Sequence, residues 1–230
     1  MAELSDIDFE KIRSLVYEQS GINLNKGKKE LVKARLGKRL REGKFGSFRD
    51  YYRYVTTKKG NNELVAMIDS ISTNLTSFFR EEIHFRKLRE VIPAAIETFA
   101  VSGLKVWSAG CSTGEEPYSL AITLREIADS RKVDLQILAT DISTEVLKTA
   151  LAGVYPKERL GKISPLLLRK YFQIGRNNWS GYYRAKNEIK DIIKFRRFNL
   201  MEAQPFNGLF DVIFCRNVMI YFDKETQDGL

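Results

Sequence analysis

The chain has 230 residues, of which 43% are hydrophobic and 29% charged, and its formal net charge is +9. No apolar run reaches the roughly 20 residues of a membrane span, and the start Met1-Ala2-Glu3-Leu4-Ser5-Asp6 lacks the basic and apolar regions of a signal peptide. Its two cysteines, Cys111 and Cys215, cannot build a disulfide framework and stand in no zinc spacing, so the expectation is a reduced, cytoplasmic, soluble protein with no resident metal and no membrane insertion.

The charge is uneven, with 15 Lys/Arg against 8 Asp/Glu in residues 1–60. A basic front end implies an acidic partner; nucleic acid, an anionic membrane surface and an acidic protein all qualify. That segment reads as helical. Phe9, Ile12, Leu15 and Val16 share one helical face, with Ser5 or Asp6 available as N-cap, and Gly21-Ile22-Asn23-Leu24 breaks the pattern. Leu31, Ala34, Arg35 and Arg39 follow on a second helix, Phe48, Tyr51, Tyr52 and Val55 on a third, and Leu64, Met67, Ile68 and Ile71 on a fourth after the break Lys58-Lys59-Gly60-Asn61-Asn62. Residues 1–72 are therefore expected to form an all-α N-terminal domain.

Ser72 to Arg80 has no clean period and reads as a connection that meets a helix near Arg80; Phe85, Leu88, Val91 and Ile92 mark that helix to about Ala100. Then the rhythm changes. Leu104-Val106-Trp107, Leu135-Ile137-Leu138-Ala139 and Phe210-Val212-Ile213-Phe214 are short apolar runs of the kind buried on both faces of a parallel sheet. A helical pattern from Glu116 to Ala128 between the first two gives the alternation of an α/β domain, expected over residues 73–230. An insert of about 155–198 interrupts it: a short helix at Leu166-Leu167-Leu168, a hairpin pairing Tyr171–Ile174 with Tyr182–Ala185, and a further strand at Ile192–Phe195. Trp179 at the hairpin tip suits a partner contact or simple packing.

The stretch Val106 to Leu120 reads as a buried strand, a turn bounded by Gly110 and Gly114, and a helix start. A doubly wound sheet presents nucleotide-like ligands at such a strand end. A dinucleotide fold uses the positive helix N-terminus to hold a pyrophosphate. Here Glu115 and Glu116 stand in that place, where they repel phosphate and attract a cation. S-adenosylmethionine carries an adenosine, a sulfonium and an ammonium, and no phosphate, so the pattern points to a methyltransferase. Asp141, ending the second strand, suits the ribose hydroxyls; its bland role is N-cap of the helix Thr144–Leu151.

Four motifs in order, Asn74-Leu75-Thr76-Ser77-Phe78-Phe79-Arg80, Ser112-Thr113-Gly114-Glu115-Glu116-Pro117-Tyr118-Ser119, Ala139-Thr140-Asp141-Ile142 and Phe214-Cys215-Arg216-Asn217-Val218-Met219-Ile220-Tyr221-Phe222, resemble those of the bacterial chemotaxis receptor glutamate methyltransferases, the CheR family. The resemblance covers nearly the whole chain. It implies a helical N-terminal domain, a Rossmann-like class I methyltransferase domain with a small antiparallel β-subdomain inserted, and S-adenosylmethionine as donor with S-adenosylhomocysteine as product. The implied acceptors are glutamates on the cytoplasmic helices of chemoreceptors, with no nucleic-acid partner and a monomeric enzyme. The family's cofactor contacts fall on Asn74, Thr76, Arg80, Glu116, Asp141, Asn199, Leu200, Cys215 and Arg216, beside Gly110 of the turn. Arg80 and Tyr221 match residues considered catalytic. Either Glu115 or Glu116 would face the methionine ammonium, with alignment favouring Glu116.

Several residues carry a plainer expectation. Arg80 can pair with Glu81 or Glu82, Tyr221 can simply pack, Cys215 suits a small buried thiol better than a nucleophile, and His84 suits a satisfied helix residue. Lys33, Arg35, Lys38, Arg39 and Arg41 would form a basic face that steers acidic receptor helices. Because the family normally continues through a helix and a final strand pair, the chain ending at Leu230 is expected to leave the sheet without its C-terminal end.

Overall fold

The structure, a computed structural model, describes residues 2–99, 103–128, 133–203, 206 and 208–230. Four helices come first: α1 (Asp6–Ser20), α2 (Lys29–Glu42), α3 (Phe48–Val55) and α4 (Asn61–Ile71). Ser5 caps α1, its Oγ accepting the Asp8 N–H at 3.1 Å. Ser47 does the same for α3 through the Asp50 N–H at 3.1 Å. Phe9, Ile12, Val16, Val32, Leu36, Leu40, Phe48, Tyr51, Val55, Met67 and Ile71 form one buried core.

The inward face of α2 is Val32, Leu36 and Leu40, one residue on from the expected Leu31, Arg35 and Arg39. Two residues of the expected basic face are thereby half-buried and engaged within the helical domain. Arg35 donates to the Ile71 and Ser72 carbonyls and to Thr73 Oγ1. Arg39 pairs with Glu63, which also accepts the Tyr51 hydroxyl at 3.0 Å. Lys38 and Arg41 remain on the exposed side.

The connection runs to Glu82 and α5 (Ile83–Phe99) starts three residues later than expected. The reason is backbone geometry: Phe79 (φ 49°) and Glu81 (φ 55°) are left-handed, which no helix accommodates. Phe85, Leu88, Ile92 and Ile96 are buried, whereas Val91 faces solvent. The expected end at Ala100 lies outside the described residues.

The second domain alternates β1 (Gly103–Ala109), α6 (Glu115–Ala128), β2 (Asp134–Asp141) and α7 (Thr144–Ala152). Then come β3 (Val154–Pro156), α8 (Pro165–Tyr171), β4 (Phe172–Ile174), β5 (Tyr182–Ala185) and α9 (Asn187–Lys190). The chain closes through β6 (Ile193–Arg197), β7 (Val212–Phe214) and α10 (Lys224–Gly229). A parallel sheet has the order β6-β2-β1-β7, and a separate antiparallel sheet the order β3-β5-β4.

One boundary differs from expectation. The strand at Ile192–Phe195, placed in the insert by sequence, is β6 of the parallel sheet, where Ile193 pairs with Ile137 and Phe195 with Ala139. The insert proper is β3 to α9, and its third strand is Val154–Pro156. Phe195 packs against Tyr118 of α6, their rings 6.0 Å apart. Burial under α6 and an open edge on β2 thus draw the segment into the main sheet. β7 begins at Val212, and Phe210 instead packs on Trp107 at 5.5 Å. Among the described residues no helix is long and apolar enough to cross a membrane.

Candidate active site

The carboxyl ends of β1, β2 and β7 open into a cavity of about 340 Å³, within the range of ordinary ligand sites. Its floor is the turn after β1. Gly110 (φ 77°) and Cys111 both donate to the Thr140 carbonyl at 2.8 Å, stitching this turn to the end of β2. Glycine is required at 110, since a Cβ would lie 2.2 Å from Val218 of the loop after β7. Ser112 (φ 49°) donates its N–H to Asp141 at 2.8 Å and its hydroxyl to the Asn74 carbonyl at 3.0 Å. One turn therefore touches three of the four motifs.

The two glutamates at the start of α6 have different surroundings. Glu115 is fully buried away from the cavity, paired with Arg159 at 2.5 Å and accepting the Thr113 hydroxyl at 2.6 Å. Glu116 lines the cavity, accepts the Ser108 hydroxyl at 2.8 Å and pairs with Arg216 Nη1 at 3.2 Å. Burial pushes its carboxyl up to about 7, against the pull of Ser108 and Arg216. Of the two expected candidates, Glu116 is the one a cation in the cavity meets.

Asp141 is 8% exposed and lines the same cavity. Its oxygens accept the Ser112 and Ser143 N–H groups, at 2.8 and 2.9 Å. Burial raises its carboxyl, and those backbone donors oppose the shift. It does not cap α7; Ser143 does, through the Val146 N–H. Asp141 is thus fixed at a strand end with oxygen lone pairs to spare.

Asn74, Thr76, Arg80, Asn199, Leu200, Arg216 and Tyr221 also line the cavity. Arg80 donates Nη1 to the Leu75 carbonyl at 2.9 Å, and its Nε lies 3.8 Å from Glu81, so the expected pairing exists at long range. The Tyr221 hydroxyl donates to the Thr73 carbonyl at 3.2 Å. Arg216 sits over the Phe85 and Phe214 rings, 5.6 Å from each, and binds both Glu116 and Glu81. Its Nε is buried with no hydrogen-bond partner among the described residues.

Cys215 is not on the cavity wall. Its side chain packs against the cluster of Trp107, Ala109 and Phe198, of which Phe198 itself reaches the cavity wall. Burial also raises the thiol, which removes thiolate character from any nucleophilic role. His84 is half exposed on α5 with its Nδ1 3.6 Å from Glu81. Trp179 is exposed and packs edge-on against Tyr182.

Other wall residues carry no motif signal. Ile22, Leu24, Leu31 and Ile71 of the helical domain close one side of the cavity, a placement only the tertiary fold creates. Glu81 accepts from Arg216 and Asn217, and those three residues tie the connection to the loop after β7. Phe79, Glu81, Ser112 and Asn217 are all left-handed without being glycine. Strain of that kind concentrates at functional sites.

The donor expected from sequence fits this lining. Two buried carboxylates suit a ligand with a cation and vicinal hydroxyls, an apolar wall suits an adenine, and the start of α6 presents Glu116 where a diphosphate would need bare N–H groups.

Comparison with known proteins agrees. Residues 74–230 match the family described as CheR methyltransferase, SAM binding domain, and residues 7–72 match CheR methyltransferase, all-alpha domain. Chemotaxis protein methyltransferase 2 of Pseudomonas aeruginosa is 42% identical over 224 residues, covering 97% of this chain and 79% of that protein. The chemotaxis protein methyltransferase of Borreliella burgdorferi is 39% identical, covering 97% of this chain and 80% of its own length. That of Escherichia coli is 40% identical, covering 99% and 78%.

Proposed function

The chain belongs to the CheR methyltransferase family, and from that premise we propose that it esterifies glutamate side chains on the cytoplasmic helices of chemoreceptors, acting as a monomer in the cytoplasm. It is an S-adenosylmethionine-dependent methyltransferase. The observation that carries the reading is the pair of buried carboxylates, Glu116 and Asp141, on one cavity at the ends of β1 and β2.

When bound, S-adenosylmethionine supplies a methyl group already activated by its sulfonium. A glutamate acceptor, with an ordinary pKa of about 4.3, is ionised at neutral pH and needs no general base. The task of this chain is therefore alignment. Glu116 would hold the ammonium and Asp141 the ribose hydroxyls. Leu200 and the apolar wall from the helical domain would flank the adenine and keep water out.

Arg80 and Tyr221 would receive the acceptor. Arg80 has Nη1 donating to the Leu75 carbonyl, while no hydrogen bond from Nη2 occurs among the described residues. That free edge suits the second oxygen of a carboxylate. The Tyr221 hydroxyl, held weakly by Thr73, can turn to give one orienting hydrogen bond. Excluding water favours a step in which opposite charges are consumed. Lys38 and Arg41, with the partly exposed Lys33, leave α2 a positive outer face for acidic receptor helices.

The test is transfer of a labelled methyl group to receptor cytoplasmic fragments, followed by mild alkali. Carboxyl methyl esters release the label as methanol; a label that survives alkali contradicts esterification.

A further inference from the structure

The end of α1 and the turn after it are bonded to two residues of the cavity lining, Asn199 and Tyr221. The turn approaches because residue 21 is glycine: φ is +71°, and a Cβ would lie 2.6 Å from the Met201 sulfur and 2.9 Å from the Phe222 ring. On one side of this turn the Gln19 carbonyl accepts Asn199 Nδ2 at 2.9 Å. On the other, the Asn23 N–H donates to the Tyr221 carbonyl at 2.8 Å.

A side-chain link reinforces the second bond. The Tyr17 hydroxyl of α1 donates to Asp223 Oδ2 at 2.8 Å and lies 3.2 Å from Thr226 Oγ1. Asp223 in turn caps α10, accepting the Thr226 N–H at 2.9 Å. From α10, Gln227 Nε2 reaches back to the Met219 carbonyl at 2.7 Å and the Phe222 carbonyl at 3.0 Å. Residues 219–227 are thus one bonded unit that carries Tyr221. The hydrogen bonds from Thr226 and Tyr17 hold the Asp223 carboxyl below the usual range, so the link persists at neutral pH.

Resting on the methyltransferase reading, we propose that Tyr17 is a positioning residue: through Asp223 it seats Tyr221, so that the helical domain sets the alignment of methyl transfer as well as the docking of the acceptor. The Tyr17 side chain does not line the cavity; its effect passes through backbone placement. Displacements of about 1 Å at an aligned site cost about 100-fold in rate, so loosening one anchor of the Tyr221 segment has a measurable cost.

The experiment compares the full chain with Tyr17→Phe, Asp223→Asn and the double variant. It measures transfer kinetics on receptor cytoplasmic fragments, calorimetric affinity for S-adenosylhomocysteine, and amide hydrogen exchange over residues 219–226. Each single variant is expected to lower kcat about 5- to 20-fold, a fraction of that ceiling. S-adenosylhomocysteine affinity and acceptor KM should stay within about 2-fold, and exchange across the segment should quicken. The double variant should be no worse than the poorer single, as expected for one shared link. Unchanged kcat with unchanged exchange overturns the proposal, and so does a loss of product affinity that matches the loss of kcat. Faster exchange in the variants, in a protein whose wild type forms no receptor ester, supports the Tyr17 link and faults the acceptor assignment instead.

Discussion

Arg159, on the turn that follows β3, places its Nη1 2.5 Å from Oε1 of Glu115, a carboxylate with no solvent exposure at the start of α6. Nearby, the Tyr155 hydroxyl of β3 donates to the Thr113 carbonyl at 2.7 Å. The antiparallel insert therefore holds the back of the same turn whose front forms the donor cavity. Glu115 neutralises a cation of the insert, which leaves Glu116 alone to face a ligand.

Arg159→Ala strands a buried carboxylate. Breaking a fully buried pair costs about 3–5 kcal/mol; Arg159 is half exposed, so about 1–3 kcal/mol is expected after screening. Thermal melting should fall by several degrees, and adding Glu115→Gln should recover most of the loss. A melting point equal to wild type would show that the pair has no structural weight.

If Glu116 holds the donor's ammonium as proposed, donor binding should depend on pH. Its carboxyl is raised to about 7 in the folded protein, and a cationic ligand selects the ionised form. Affinity for S-adenosylhomocysteine should therefore be weak near pH 6, climb through about 7 and level off above it. Glu116→Gln should bind about 10-fold or more weakly above pH 7, as expected for losing a charge-assisted contact, with a flat profile. Calorimetry across that range checks both.

The same shift has a stability consequence of fixed sign. A carboxyl raised above its unfolded value near 4.5 contributes fully below that pH, and the contribution is lost as pH rises through about 7. Without ligand, Glu116→Gln should therefore melt higher than wild type at pH 8, and the gain should shrink toward pH 4.5. A variant less stable than wild type at pH 8 would mean the Arg216 pair outweighs burial.

Arg80→Ala should lower turnover about 100- to 1000-fold, the usual effect of deleting one preorganised donor, with product affinity within a few-fold. Arg80→Lys should rescue little, since an ammonium cannot present two parallel N–H groups. Single-turnover kinetics with receptor fragments separate these effects from binding.

Cys215→Ala should retain turnover within about 2-fold, because the half-buried thiol packs against Phe198 and Trp107 and does not itself line the cavity, with a small cost from the lost packing. A large loss would place the thiol in the chemistry.

Much of the site was legible because its signals are local. The Gly110 turn, the acidic helix start and Asp141 each follow a strand within a few residues, so a short window carries both fold and chemistry. Choosing between Glu115 and Glu116 was beyond the residues alone, because it depends on Arg159, 44 positions away. Cys215, expected as a cofactor contact, packs against the cluster that includes the wall residue Phe198, and a motif names neighbours without saying which of them a cavity exposes. The apolar run at Ile192–Phe195 has the same look in either sheet, and only the free edge of β2 decides its partner. The α2 face slipped by one residue because the half-buried Arg35 and Arg39 spend their charge on the Ile71 carbonyl and Glu63 within the helical domain. The helical wall of the cavity left no trace in sequence, since Ile22, Leu31 and Ile71 read as ordinary apolar positions.

The central claim is that paired carboxylates make this a cavity for a cationic methyl donor. Calorimetric titration of the full chain with S-adenosylhomocysteine and, separately, with NAD tests it most directly. The account predicts saturable binding of the first, lost in the Glu116→Gln, Asp141→Asn double variant, and no binding of the second. Binding of NAD in preference, or undiminished S-adenosylhomocysteine binding by a folded double variant, would contradict it.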